Sequence, residues 1–153
     1  MVEERELITL VRRIYVGAPA EEVWPWLVEP ERVERYHLAM LKKRPAAVGD
    51  RIEYLGKIGY QTVVEGVVEE LVETRKLVHT YNFHLDEEEA DSRVSYELVR
   101  YGDEMCCLEV THSGLREGGE THRTVDRSWD ITLSSLKTVI EIGKPLPWPQ
   151  RRR

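Results

Sequence analysis

The sequence predicts an α+β domain in which a curved antiparallel sheet is closed by one long C-terminal helix. Three observations predict it. From Gly49 to about His112 the apolar residues recur with period two, the strand signature. Between Thr121 and Ile142 they fall at Val125, Trp129, Leu133, Leu136 and Ile140, one face of a helix. The turns between successive strands are short, which implies antiparallel pairing. The 153 residues suit a single domain, expected over 1–145, with 146–153 as an extended Pro/Arg-rich tail.

Residues 6–16, ELITLVRRIYV, read as a first strand with Ile8, Leu10, Ile14 and Val16 as its apolar members. Gly17 and Pro19 then break the chain, and Glu21 and Glu22 sit where a helix dipole favours acids. Val23, Trp24 and Leu27 make one apolar face of this helix. Pro25 lacks a backbone donor and crowds the preceding turn, so the helix is expected to be short or bent there. Pro30 opens a second short helix running to about Tyr36.

Strands are expected at 50–56, 59–72, 75–84, 92–101 and 104–113. The turns between them are Gly56 to Gly59, Glu73-Thr74, the acidic run Asp86 to Asp91, and Gly102-Asp103. The acidic run reads as a solvated hairpin tip, since it lacks the oxygen spacing and central Gly of a calcium loop. After the long helix, Gly143 suits a left-handed stop and Pro145 prevents continuation.

Composition excludes several function classes. Net charge is −6, and the basic residues are scattered among acids apart from Arg151, Arg152 and Arg153, so no nucleic-acid surface is expected. No apolar run is long enough for a membrane span, and the N-terminus lacks the order of a signal peptide, so the cytoplasm is the expected compartment. Cys106 and Cys107 are adjacent and lack metal-ligand or Cys-x-x-Cys spacing. A single Asn and two Gln beside many Glu and Arg give the composition a heat-adapted lean. No cofactor or metal is expected, because His37, His79, His84 and His122 show no paired spacing and no phosphate loop or nucleophile motif occurs.

Alternation assigns the faces. Ile52 and Tyr54 share one side of their strand, as do Leu77, His79, Tyr81 and Phe83; Val94, Tyr96 and Leu98; and Leu108, Val110 and His112. With the helix adding Trp129 and Leu133, these faces predict an apolar interior with tyrosine and histidine tips, the make-up of a small-molecule pocket. The alternate positions are mostly Glu, Arg, Thr and Ser, so no apolar patch is expected on the convex side. The candidate cavity lining is Tyr54, Tyr81, Tyr96, His112, Leu98, Val110, Trp129, Leu133 and Trp24. His112 reads either as an orienting or general-base imidazole or as a satisfied core histidine. No residue is assigned a catalytic role.

Several segments resemble the START-like, or SRPBCC, superfamily of helix-grip domains (Bet v 1-like in shape). These are APAEEVWPWLVEPE at 18–31, VGDRIEY at 48–54, EGVVEELVETRKLVHTY at 65–81, SRVSYELV at 92–99, LEVTHSGL at 108–115 and RSWDITLSSLKTVIEIG at 127–143. The subgroup they are most similar to is the one related to the activator of the Hsp90 ATPase. Pro25, Tyr81 in place of a common Trp, and Gly49-Asp50 in place of Gly-Gly depart from the pattern. The resemblance implies a helix-grip fold. It implies binding of lipids, sterols, polyketides or other apolar molecules, while the eukaryotic namesake is a chaperone partner, some relatives are cyclases or hydrolases, and many bacterial members have no assigned role. The expected function is therefore binding of a hydrophobic or amphipathic small molecule in an internal cavity. The alternatives are a chaperone-cofactor-like interaction module with a protein partner, or a small-molecule enzyme using His112 and a Tyr. The chain is expected to be a monomer or homodimer.

Overall fold

A computed structural model of the chain describes residues 6–84 and 90–147. The tip of the acidic hairpin at 85–89, the Arg triplet and the end of the tail lie outside the described residues. The elements are β1 (Leu7–Val16), α1 (Ala20–Val23), α2 (Pro25–Val28), α3 (Pro30–Tyr36), β2 (Met40–Leu41), β3 (Arg51–Leu55), β4 (Thr62–Val72), β5 (Lys76–Tyr81), β6 (Ser92–Tyr101), β7 (Met105–Arg116) and α4 (Glu120–Ile142).

The seven strands form one antiparallel sheet in the order β1-β7-β6-β5-β4-β3-β2. β3 to β7 are therefore a meander, and β1 closes onto the last strand of it. Pro25 does break the first helix: Trp24 serves both as the last cap of α1 and the first of α2, and Pro25 occupies the position where a missing N–H costs nothing. α4 ends at Gly143, which adopts φ 80°, the left-handed conformation that Gly reaches without strain. The two-residue strand β2 was not expected, because a pair of residues carries no period.

α4 lies across the concave side of the sheet. Val125, Trp129, Leu133, Leu136 and Val139 on its inner face are buried, and Ile140, expected there, is only partly so because the helix rotates Val139 inward at its end. Arg12 of β1 anchors the helix through ion pairs of 2.7 Å to both Asp126 and Asp130, and Lys137 donates to the Tyr15 carbonyl at 2.6 Å. These charged contacts also shield the exposed edge of β1, where unpaired backbone groups would otherwise invite association.

The sheet bends sharply at one place. β4 and β5 are paired at Val68–His79 and again at Glu65–Asn82, but the backbone between them leaves the ladder. There the Thr80 carbonyl presses on Gly66 so closely that a Cβ at Gly66 would stand 1.8 Å from its oxygen. The Val67 N–H turns to the Thr80 hydroxyl at 2.8 Å. Glycine inside a strand marks such a close approach. Among the described residues, no helix is long and apolar enough to cross a membrane.

Candidate functional site

Two buried polar regions sit under α4, and sequence alternation brings both to the concave face. One row of paired residues runs Val68, His79, Val94, His112, Leu10 across four strand boundaries, so both histidines point inward. Both are fully buried.

His112 is held from both sides. Trp129 Nε1–H of α4 donates to His112 Nδ1 at 3.0 Å, which requires the ring proton to sit on Nε2. Nε2–H then donates to Ser92 Oγ at 2.8 Å, and the Ser92 hydroxyl donates to the Tyr81 carbonyl at 3.2 Å. The relay is complete: each donor has an acceptor, and the imidazole is neutral with no lone pair to spare. Burial pushes its pKa down to about 3, and His79 nearby pushes the same way. A general base needs a free lone pair, so this geometry makes His112 a structural residue that ties β6, β7 and α4 together.

His79 is bound by the bend. Its Nδ1–H donates to the Thr80 carbonyl at 2.7 Å, the oxygen that has left the ladder against Gly66. Its Nε2 is a buried acceptor with no hydrogen-bond partner. The rings of Tyr54, Tyr81 and Tyr96 surround it with centroids 6.1, 6.3 and 6.0 Å away. Burial lowers its pKa to about 4, although the bond to Thr80 opposes the shift.

Beyond these rings lies a cavity of about 290 Å³ between the sheet and α4. Its walls are mainly aromatic: His37, Tyr54, Tyr81, Phe83, Tyr96 and Trp129. Val63, Val64, Ala39 and Leu38 add aliphatic surface, and Thr124, Ser128 and Thr132 of α4 complete the roof. Among the described residues, no charged side chain lines it. Leu38 is 47% exposed and stands at the mouth. The rings are interlocked. His37 stacks on Tyr54 at 5.1 Å with planes 19° apart, Tyr81 meets Phe83 edge-on at 5.1 Å, and Tyr96 meets Trp129 edge-on at 5.9 Å. Burial raises the pKa of Tyr54 to about 12 and pushes those of Tyr81 and Tyr96 well up too, so all three phenols are neutral near pH 7.

Of the residues anticipated from sequence, Tyr54, Tyr81, Tyr96 and Trp129 meet at this cavity. Leu98, Val110, Leu133 and His112 lie instead in packed core beside it, and Trp24 borders a separate surface cleft near Leu71 and Arg44. Sequence reasoning missed His37, Val63, Val64 and the small polar residues of α4. His37 lies in the bend after α3, where no period applies. Phe83 was placed beside Tyr81 by alternation but not among the lining. Thr124, Ser128 and Thr132 follow α4's helical spacing toward the mouth and were passed over because they are polar.

The convex face differs from expectation at one corner. Tyr15, Val99, Tyr101 and Met105 are substantially exposed there, with Tyr15 and Tyr101 meeting edge-on at 5.6 Å over the buried Cys107. Val99 and Tyr101 occupy outward positions of β6 past its polar run, and Tyr15 an outward position of β1. Among the described residues, no group of three His, Cys, Asp or Glu is disposed to hold a metal ion.

The geometry can now be set beside known proteins. Residues 17–141, most of the chain, match the family described as "Activator of Hsp90 ATPase homolog 1-like protein". The chain belongs to this family. No curated protein matches it in sequence. Among solved structures, a protein from Mesorhizobium loti superposes with a TM-score of 0.76 at 20% identity, over 88% of this chain and 97% of that one. An Hsp90 activator from Plasmodium falciparum gives 0.73 at 15% identity, over 90% and 98%. The Aha1 dimer from Colwellia psychrerythraea gives 0.70 at 19% identity, also over 90% and 98%. At these identities the likeness concerns the helix-grip fold, which the family match and the curved seven-stranded sheet establish together. The fold is compatible with binding a ligand and with the kind of interaction an Hsp90 activator makes.

Proposed function

We propose that the protein binds a hydrophobic or amphipathic small molecule in the cavity beneath α4. The observation that carries this reading is an apolar interior space that, among the described residues, is ringed by six aromatic side chains and lined by no charge. A side chain or two could have filled that space, as cores normally do at crystal-like density. Its size is at the lower end of small-molecule pockets. A handful of polar groups at fixed points is also what such pockets use to orient a ligand. On this reading the protein acts as a monomer or homodimer in the cytoplasm.

The test compares the native chain with Ser128→Trp, which inserts an indole into the cavity from the roof. Thermal unfolding is followed with decanoate, cholesterol and 2-acetylnaphthalene as probes. The expected outcome is a rise in Tm with at least one probe for the native chain and none for Ser128→Trp. No rise with any of the three in the native chain contradicts the reading.

A second reading, an interaction module resembling the Hsp90 activators, draws on the exposed corner of Tyr15, Val99, Tyr101 and Met105. Its test is the ATP hydrolysis rate of an Hsp90 protein with and without this chain. Stimulation that Tyr15→Ser/Tyr101→Ser removes supports it, and an unchanged rate contradicts it.

A further inference from the structure

Several proton donors at the cavity have no protein acceptor. His37 Nδ1 accepts the Ala39 N–H at 2.9 Å, so the proton of this neutral ring lies on Nε2, which has no partner within the described structure. The Tyr81 hydroxyl has none either. The Tyr54 and Tyr96 hydroxyls face each other, and at most one of their two protons is taken up within that pair. The wall therefore offers three uncommitted donors: an imidazole N–H and two phenolic O–H groups. Thr124 on the roof has spent its proton on the Glu120 carbonyl at 2.8 Å. Acceptors line the space too, since the phenolic oxygens and the Thr124, Ser128 and Thr132 hydroxyl oxygens keep lone pairs, but the His37 Nε2–H can only donate.

Charge is excluded as firmly as donors are supplied. Among the described residues, no Lys or Arg side chain lines the cavity. Lys57, next to Gly56 of the lining, is close enough to His37 to act on it electrostatically, but its ammonium donates to the Glu34 carbonyl at 3.0 Å. A carboxylate moved into this site would lose its water with no cation in the lining to replace it, which disfavours it in an apolar setting. The stacked and edge-on rings favour a flat partner.

Resting on the cavity-binding reading above, we propose that the ligand is an uncharged, flat aromatic molecule presenting a carbonyl-type oxygen to the His37 and tyrosine donors, and that carboxylates such as fatty acids are disfavoured. The oxygen accepts from His37 Nε2–H, from a tyrosine O–H, or from both. The ring system lies among Tyr54, Phe83, Tyr96 and Trp129.

Three probes of one ring system test this: naphthalene, 2-acetylnaphthalene and 2-naphthoate. Each is titrated into the ¹⁵N-labelled protein at pH 7 while the Trp129 indole N–H resonance, fixed by its bond to His112, reports occupation. 2-Acetylnaphthalene is expected to bind roughly five- to tenfold more tightly than naphthalene, the gain from about one net hydrogen bond, with 2-naphthoate the weakest of the three. In Tyr81→Phe, and in Tyr54→Phe/Tyr96→Phe, the preference for the ketone should shrink while naphthalene binds as before. If naphthalene binds but 2-naphthoate equals or exceeds the ketone, Lys57 governs the site and the proposal is overturned. If ketone and hydrocarbon bind alike, the donors play no part and it is overturned too. If none of the three moves the Trp129 signal the proposal is overturned, and the Tm response to decanoate and cholesterol then decides whether the cavity-binding reading stands without it.

Discussion

His112 and His37 are both neutral imidazoles under the same helix, and they do opposite things. His112 has both nitrogens engaged, by Trp129 and Ser92, in a relay that ends on the Tyr81 carbonyl. His37 engages one nitrogen with the Ala39 N–H and presents the other at the cavity wall. The sealed end of the interior consumes its polar capacity in holding strands and helix together. The open end leaves donors unspent beside empty volume. Donors that face a cavity can be met by a ligand as well as by water, so the open end is where a ligand is most naturally expected.

Acid should break the comparison most visibly. The folded-state pKa values of His37 and His79 are lowered to about 4, and that of His112 to about 3, chiefly by burial. The unfolded chain takes up these protons near pH 6.5 and the native chain does not, so stability is fully present above pH 6.5. It should fall as the pH drops from there toward 4, by about 1.4 kcal/mol per pH unit for each histidine. Urea midpoints between pH 7 and 4.5 measure the sum. Histidine resonances measure the order, with His112 protonating after His37; the reverse order would contradict the account of the sealed end.

Next in size is His112→Ala. It deletes a buried ring and strands the Trp129 N–H, while Ser92 loses a donor but keeps its bond to the Tyr81 carbonyl, for an expected loss of about 3–5 kcal/mol in chemical denaturation. Gly66→Ala should follow, at about 1–3 kcal/mol, because the new methyl collides with the Thr80 carbonyl and the sheet must relax its bend. A loss below about 0.5 kcal/mol would mean that the bend is compliant. Tyr81→Phe should do least to stability, within about 0.5 kcal/mol, because its hydroxyl has no partner to abandon. That near-silence, beside the large effect of His112→Ala, separates the open end from the sealed one.

Much of this was legible in the chain. Pro25 announced the split between α1 and α2, Gly143 and Pro145 the end of α4, and alternation placed Tyr54, Tyr81 and Tyr96 inward. Each is a local signal, read from a residue's own backbone demands or from a period. What escaped was long-range. The Trp129–His112–Ser92 relay joins a helix and two strands, and nothing in the spacing of those residues marks it. The collision of Gly66 with Thr80, which makes the sheet bend, depends on pairing register. His37 sits in an aperiodic bend, so its place at the wall follows only from how α3 docks. The exposed corner of Tyr15 and Tyr101 arises where β1 meets β7 beside β6, two ends of the sequence meeting in space.

The most direct measurement is a crystal structure of the protein grown with saturating 2-acetylnaphthalene. The account predicts ring density enclosed by Trp129, Tyr54 and Phe83, with the ketone oxygen within hydrogen-bond reach of His37 Nε2 or a tyrosine hydroxyl. A cavity that stays empty, or that closes around its own tyrosines while the probe lies elsewhere, would contradict it.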